Sequence, residues 1–485
     1  MKKILLAGCF FLITAKVFGQ QFSQYNTGSL YDSFENPAQR TFIPDTTKNF
    51  AFNFFVPNFS ANFYITGDIQ EALRSRTFSG YYNTANLQTG NSKFNHIDLK
   101  ANIYSIMFKV FASEKGDQEV GFFTNTKAEM HGLASDESVA IFNGSLNFPN
   151  NSYTNVFNDN YFLQTYNQVG FTYREQVTKR FAFGIKISAL SGIYYSKSQI
   201  DQSSITFDKP NDQATLYLQG TTYVTGSSNN NTVVEKMGFG FHNPGAAISI
   251  GTSYLDENGY KWQGNIKDLG FIHWNNNSIT YPFAADSVIT GLSSANRENN
   301  ITRQVGNIAT GHPTRTGFTT ATNGLLELSV NKTYLFDYDK QFKFSPTLIA
   351  SKEVFYSGFT AALVAPLQYD RYIATLTSSY NDLKLFNLGG QFMIKDVNSE
   401  FFIGSERLLP SLHLLSAAIH HKGDPNQTQV TTIQKPYTGA DFFIGVSWKF
   451  GQLIERRLNS SSVPDGDKGF IGRTWEKLFN KDKNY

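Results

Sequence analysis

The residues that could do chemistry in this chain are few and scattered. None of its eight histidines pairs with another at the spacing that sets two imidazoles on one face of a zinc-binding helix. The adjacent His420 and His421 would point to opposite faces of a strand. Asp337-x-Asp339 and Asp465-Gly-Asp467 resemble the start of a calcium loop but lack its later ligands, and they read as turns. There is no Gly-x-Ser-x-Gly elbow, no phosphate-binding loop and no dinucleotide fingerprint. A hydrolase assembled from separated Ser, His and Asp residues would leave no local string. The expectation is therefore a protein that is not an enzyme and holds no cofactor and no metal.

The elements that would have to position any site are strands. From Arg180, the positions Phe181, Phe183, Ile185, Ile187 and Ala189 are apolar, and Arg180, Ala182, Gly184, Lys186 and Ser188 between them are charged or small. This is the period-two signature of a strand with two unlike faces. Val169, Phe171 and Tyr173 alternate in the same way with Gln168, Gly170, Thr172 and Arg174. A polar break at Thr178-Lys179 joins the two arms into an antiparallel hairpin spanning Gln164 to Tyr195. Each arm reaches the ~9–11 residues that a tilted strand needs to cross a bilayer. The expectation is an all-β, antiparallel transmembrane β-barrel, with the apolar face toward lipid and the polar face lining a water-filled lumen.

Composition agrees. The chain is 15% aromatic, with 45 Phe and 25 Tyr, and only 17% charged. A barrel has a use for so many rings in its lipid face and interfacial girdles; a secreted β-sandwich or propeller shares the alternation and is the rival. Met1-Lys2-Lys3 followed by an apolar run to about Ala15 reads as a secretory signal peptide, residues 1–19, cleaved after Gly19. Leu6-Ala7-Gly8-Cys9 also matches a lipoprotein box, although only five apolar residues precede Cys9. Cleavage after Gly19 removes Lys2, Lys3 and Lys16, leaving 39 basic against 39 acidic residues. No basic field remains for nucleic acid, and no cysteine for a disulfide or thiolate metal site.

Residues 20–48 are polar and turn-rich, with Asn36-Pro37-Ala38, and read as an irregular segment inside or under the barrel. The barrel is expected over 49–450. Its first two strands lie in Asn49–Thr66, with a bend at Pro57-Asn58. Asp68-Ile-Gln-Glu71 has capping-box spacing for a short helix ending near Ser75. Alternation slips near Ser105, as at a bulge. Residues 132–160 read as a long polar loop with a helical turn after Asp136. The tract 226–231 reads as an exposed loop, and 275–323 as the largest irregular region. Ala440, Phe442, Ile444, Val446, Trp448 and Phe450 form a closing strand that ends on an aromatic and pairs beside the first. The count is about 14 strands, within the even 8–26 range of bacterial barrels. Residues 451–485 form a periplasmic tail in which Ile471, Trp475, Leu478 and Phe479 share one face of a short helix.

Several strings carry a family resemblance. Asp268-Leu-Gly-Phe-Ile-x-Trp274, Arg180-Phe-Ala-Phe-Gly-Ile-Lys-Ile and Phe401-Phe-Ile-Gly-Ser-Glu-Arg-Leu-Leu409 resemble motifs of a Bacteroidota outer-membrane barrel family of unknown function. Asn36-Pro37-Ala38 and the hairpin rhythm are more distantly similar to accessory barrels of type IX secretion and to fatty-acid-transporter-type barrels. The resemblance implies a β-barrel in the outer membrane and brings no catalytic residues. Asn36, Pro37, Asp268, Gly270, Trp274 and Phe450 are the signature positions, all expected to be structural. Trp274 would sit in an interfacial girdle and Gly270 at a crowded bend. Two roles follow. One is a passive channel or carrier for small or hydrophobic molecules. The other is a non-transport partner subunit of a secretion, gliding or envelope-assembly complex, docking through residues 460–485.

Overall fold

Period-two segments of this length can satisfy their backbone hydrogen bonds in an apolar medium only by pairing into a sheet without edges. The computed structural model shows that closure. It describes residues 22–41, 48–111, 117–225, 240–337, 342–420, 437–451 and 469–479. The leader, the tract 226–231, Asp339 and Asp465-Gly-Asp467 lie outside them.

The wall has fourteen antiparallel strands. They are β1 (Phe50–Phe52 and Asn58–Thr66), β2 (Phe94–Phe111), β3 (Gln118–Ser135), β4 (Asn160–Gln176), β5 (Phe181–Asp208), β6 (Pro244–Leu255) and β7 (Tyr260–Trp274). They continue as β8 (Phe318–Ala321 and Leu325–Lys332), β9 (Thr347–Glu353), β10 (Phe359–Tyr369), β11 (Tyr372–Asn381), β12 (Phe386–Lys395), β13 (Ser399–Ser405) and β14 (Tyr437–Phe450). Each pairs with its neighbours in order, and β14 pairs with both β13 and β1. Phe450 stands opposite Phe50 at that seam.

Residues 49–66 form one stave rather than two strands, because both pieces of β1 lie between β14 and β2. The break is a bulge in which Phe54 and Phe55 adopt φ of 48° and 60°, a conformation bulky residues rarely take. Asn53 holds the wall together there: its side chain donates to Val56 O (2.9 Å) and Ser105 O (3.1 Å) and accepts from Met107 N–H (3.0 Å). The displaced rings join an external aromatic cluster. Phe54 packs against Trp448 and Phe450, and Phe450 against Phe50, with centroids 5.4–5.6 Å apart. The slip near Ser105 is a bulge between Tyr104 and Ile106.

Three regions differ from the expectation. The first loop helix, α2 in chain order after α1 (Leu30–Glu35), runs Ile69–Ser79 and ends on left-handed Gly80. Asp68 makes no capping bond, because its carboxylate pairs with Lys93 (2.6 Å). The polar loop 132–160 begins as strand to Ser135, turns through α3 (Asp136–Ala140) and buries Phe148, Val156 and Phe157. The irregular region 275–323 holds a strand, Ile279–Thr290, and α4 (Arg297–Ala309). That strand pairs with Gln213–Val224, which pairs with the projecting half of β5. This sheet and α4 enclose an apolar core of their own above the barrel, including Phe207, Leu216, Phe283, Ile289 and Ile301. The difference has a physical cause: the strand's partner lies more than fifty residues away, and its alternation is interrupted by Pro282 and by the adjacent Ala284 and Ala285.

At the same end, α5 (Leu408–His420) packs on β14. The tail helix α6 (Phe470–Phe479) folds back onto the barrel. Its first amides, Ile471 and Gly472, donate to the Glu175 carboxylate at 3.0 and 2.8 Å. The side chains from Trp475 onward lie outside the described residues, and with them three of the four residues of the expected apolar face.

The outer surface of the wall carries an apolar belt that includes Phe171, Ile187, Leu328, Leu348, Leu376 and Phe401. The alternation is sharp: Ile187 is 58% exposed and its neighbour Lys186 1%. A belt of that kind has the composition of a lipid-facing surface. Ile187→Lys is expected to cost about 2–4 kcal/mol, the range for a cation at the bilayer midplane. Leu146→Lys, at a loop position 94% exposed, is expected to be neutral. Urea titration of the two variants folded into lipid vesicles measures the contrast.

Candidate functional site

The inward face of the wall is polar as expected, but the lumen is packed rather than filled with water. Residues 22–41 occupy it. Ser29 caps α1 by accepting from Asp32 N–H (3.0 Å), and Pro37 follows the helix closely enough to stop it. Leu30, Tyr31 and Phe34 meet Tyr104, Phe123 and Phe402 in an apolar cluster inside the barrel. The rest of the contact is polar and reaches strands all around the wall. Leu30 N–H donates to Glu400 (2.7 Å), and Ser23 N–H and Oγ both donate to Glu406 (2.8 Å). Thr41 Oγ1 donates to Glu119 (3.0 Å). Arg174 donates to Ala38 O (3.0 Å), Lys109 to Ser33 O (3.3 Å) and Lys261 to Gln39 Oε1 (2.6 Å). The segment therefore descends the bore from Glu406, at the long-loop end, to Glu119, at the short-turn end.

Asn36 and Pro37 lie against this wall. Asn36 Oδ1 accepts from Ala38 N–H (3.1 Å), a side-chain turn that presents the backbone sideways. The wall makes room with two glycines paired across β5 and β6, Gly184 and Gly251. A Cβ at Gly184 would stand 2.0 Å from Pro37 O, and one at Gly251 2.4 Å from Asn36 Oδ1. Gly184 makes room for the Pro37 backbone, and Gly251 for the Asn36 side chain and the Ala38 amide.

Asp268 is the second centre. Its φ is +46°, and it forms a bulge in β7, where Lys267 and Asp268 together stand opposite Ser249 of β6. Lys267 and Asp268 consequently both point inward. Asp268 pairs with Lys127 and with Lys186 (3.0 Å), and accepts from Gln168 (3.0 Å) and Ser249 (3.2 Å). Lys267 meets Glu327 (2.9 Å), Glu35 of α1 (3.3 Å) and the Tyr25 hydroxyl (3.1 Å). The extra residue also inverts the parity of everything after it. Trp262, before the bulge, faces outward, whereas Trp274 is fully buried inside, against Tyr195 and Phe318, with its indole N–H on Thr320 (2.9 Å). Trp274 is thus not a girdle residue; the aromatic cluster with Phe450 and Trp448 holds that outer position. Gly270 sits where β6 comes close, since a Cβ there would be 2.3 Å from Ala246 O.

Above the segment, at the long-loop end, a cavity of about 390 Å³ opens over Phe22. Its lining includes Asp98, Lys100, His131, Glu353, Glu406 and Arg407. His131 and Asp98 face each other across β2 and β3 and pair; Lys100 pairs with Glu353. Phe162 and Tyr356 stack at 4.5 Å on one side. A smaller cavity of about 100 Å³ lies below, beside Tyr25, Glu35 and Lys267. Lys100 and Leu325 line both cavities, so the Lys100–Glu353 pair stands between them. Of these residues, only Glu406 and Arg407 fall within a string that the sequence marks, Phe401–Leu409. The usable signal there was two charges at the end of a cleanly alternating strand.

Two outcomes follow. Asp268→Asn keeps a residue that tolerates the left-handed conformation and removes the charge facing two buried lysines. It is expected to cost about 3–5 kcal/mol, the loss for breaking a buried pair from one side, measured by urea titration in vesicles. Gly184→Val is expected to unseat residues 36–38. A Ser33→Cys probe, fully buried in the intact barrel, should resist maleimide in the parent and react in the Gly184→Val background.

The chain belongs to a family of unknown function (DUF5723), matched over residues 42–406. Asp268, Gly270 and Trp274 fall within that span; Asn36, Pro37 and Phe450 fall outside it. The sequence matches no curated protein. Among solved structures it is similar to the toluene transporter TodX of Pseudomonas putida, with TM-score 0.39 and 9% identity over 89% of this chain and 96% of that one. A TodX deltaS2S3 mutant, a monoaromatic hydrocarbon channel, gives 0.43 and 10% over 86% and 94%. The translocator domain of the autotransporter NalP from Neisseria meningitidis gives 0.28 and 6% over 84% and 91%. Scores of this size carry no weight for cargo, and the barrel rests on its own strand pairings.

Proposed function

We propose that this member of a family without assigned function is an outer-membrane conduit for small polar solutes, held shut by its own N-terminal segment. The observation that carries the reading is the pair of cavities in series along the bore, divided by Lys100–Glu353 and ended by residues 22–41. A barrel serving only as a scaffold has no need of graded polar space above its filling. The lining favours the polar end of the expected cargo range. An apolar solute would strip water from Lys100, Glu353 and Arg407 without replacing it, at several kcal/mol per ion, whereas a polar solute returns hydrogen bonds. The filling is suited to release, because most of its ties to the wall are hydrogen bonds to charged groups, each worth ~1.5–3 kcal/mol net, which water can replace one at a time. The outer apolar belt supports the membrane placement.

The test is permeation. In liposome swelling with arabinose and in planar-bilayer recording, the protein lacking residues 22–41 is expected to pass solute and current at least tenfold above the intact protein. Equal impermeability of the two, with both correctly folded, overturns the reading.

A further inference from the structure

The upper cavity has a chemical polarity that the conduit reading does not use. Arg407 is held with its guanidinium carbon 4.2 Å from the Tyr64 ring centre and 5.3 Å from that of Tyr437. Glu406 spends one carboxylate oxygen on Ser23, and Glu353 spends one on Lys100. All three side chains are more than nine-tenths buried, and all three line the cavity. Yet Arg407 Nη1, Glu406 Oε2 and Glu353 Oε2 have no hydrogen-bond partner among the described residues. Buried charged atoms are ordinarily satisfied. Here Arg407 Nη1, Glu406 Oε2 and Glu353 Oε2 remain open around the same space, as does His131 Nε2, 4.0 Å from Glu353 Oε2, beside the stacked Phe162 and Tyr356 rings.

We propose that this cavity recognises a small zwitterion, an amino acid or short peptide with free ends. Arg407 takes its carboxylate, Glu406 and Glu353 take its ammonium, and an apolar side chain lies against Phe162 and Tyr356. This deepens the conduit reading and rests on it for the direction of travel. A guanidinium fixed between two rings is suited to a carboxylate, since its planar fork is already oriented. A volume of about 390 Å³ falls within the ~300–1,000 Å³ of small-molecule sites. An anion alone would leave Glu406 and Glu353 open, and a cation alone would leave Arg407 open. Only a ligand bearing both ends closes all three.

The experiment is calorimetric titration of the full protein in detergent with the dipeptide Ala-Phe, its N-acetyl form, its C-terminal amide, and toluene. The free dipeptide is expected to bind, each cap to weaken binding at least tenfold, and toluene to give no saturable heat. Arg407→Gln is expected to weaken the free dipeptide tenfold or more while leaving the amide unchanged. Glu406→Gln should do the same for the free dipeptide relative to the acetylated form. Should a variant not fold, the capped peptides on the unaltered protein decide alone. Capped and free peptides binding equally, no binding of any peptide, or saturable binding of toluene in their place overturns the proposal. A shortened barrel that passes arabinose while the intact protein ignores Ala-Phe sinks this inference and leaves the conduit standing. Discriminating binding by a barrel that never conducts supports the site and removes the conduit.

Discussion

A closed sheet of fourteen strands is too wide for its own side chains to fill. At ~8 strands the inward residues meet across the axis, and at 16–18 they leave an aqueous channel. This barrel lies between, and its interior follows from that width. The space is shared between inward side chains and residues 22–41, and the polar inner face finds its partners partly in that segment. The apolar residues within, Tyr104, Phe123 and Phe402, lie where Leu30, Tyr31 and Phe34 cover them. Where the segment ends, at Phe22, open space begins.

Charge placement inside the wall depends on one backbone irregularity. A regular β7 would turn Asp268 toward lipid and leave Lys127 and Lys186 without it. The left-handed residue in the bulge swings the carboxylate inward, so four strands meet at one anion. The same inversion carries Trp274 to the inside, where it packs against Tyr195 and Phe318. A local strain of about 1–3 kcal/mol is thereby exchanged for a connected interior. The second irregularity, at Phe54-Phe55, works outward and moves two rings onto the surface.

The architecture was largely legible in the chain. Alternation depends only on neighbours two apart, so β4, β5 and β14, the closure beside β1 and the number of strands could all be read locally. Parity past Asp268 could not, because a bulge leaves no mark in a pattern of residue types; the string from Asp268 to Trp274 stood out as unusual, but its direction did not. The fit of Asn36-Pro37 into Gly184 and Gly251 was equally hidden, since each glycine reads alone as a small residue in a strand. The vestibule was least legible. Its groups come from β2, β3, β9 and the end of β13, and Ser23 meets Glu406 across 383 positions. Contacts at such separation carry no periodic signal, and the histidine that pairs with Asp98 looked like any other.

The descent of residues 22–41 through the bore has a consequence for how the molecule is made. The segment lies inside the cylinder and joins β1 at the short-turn end, beside the β1–β14 seam where Phe50 meets Phe450. Because it touches staves all around the ring, it favours the closed cylinder over an opened one and acts as a mandrel against which the hairpins bend.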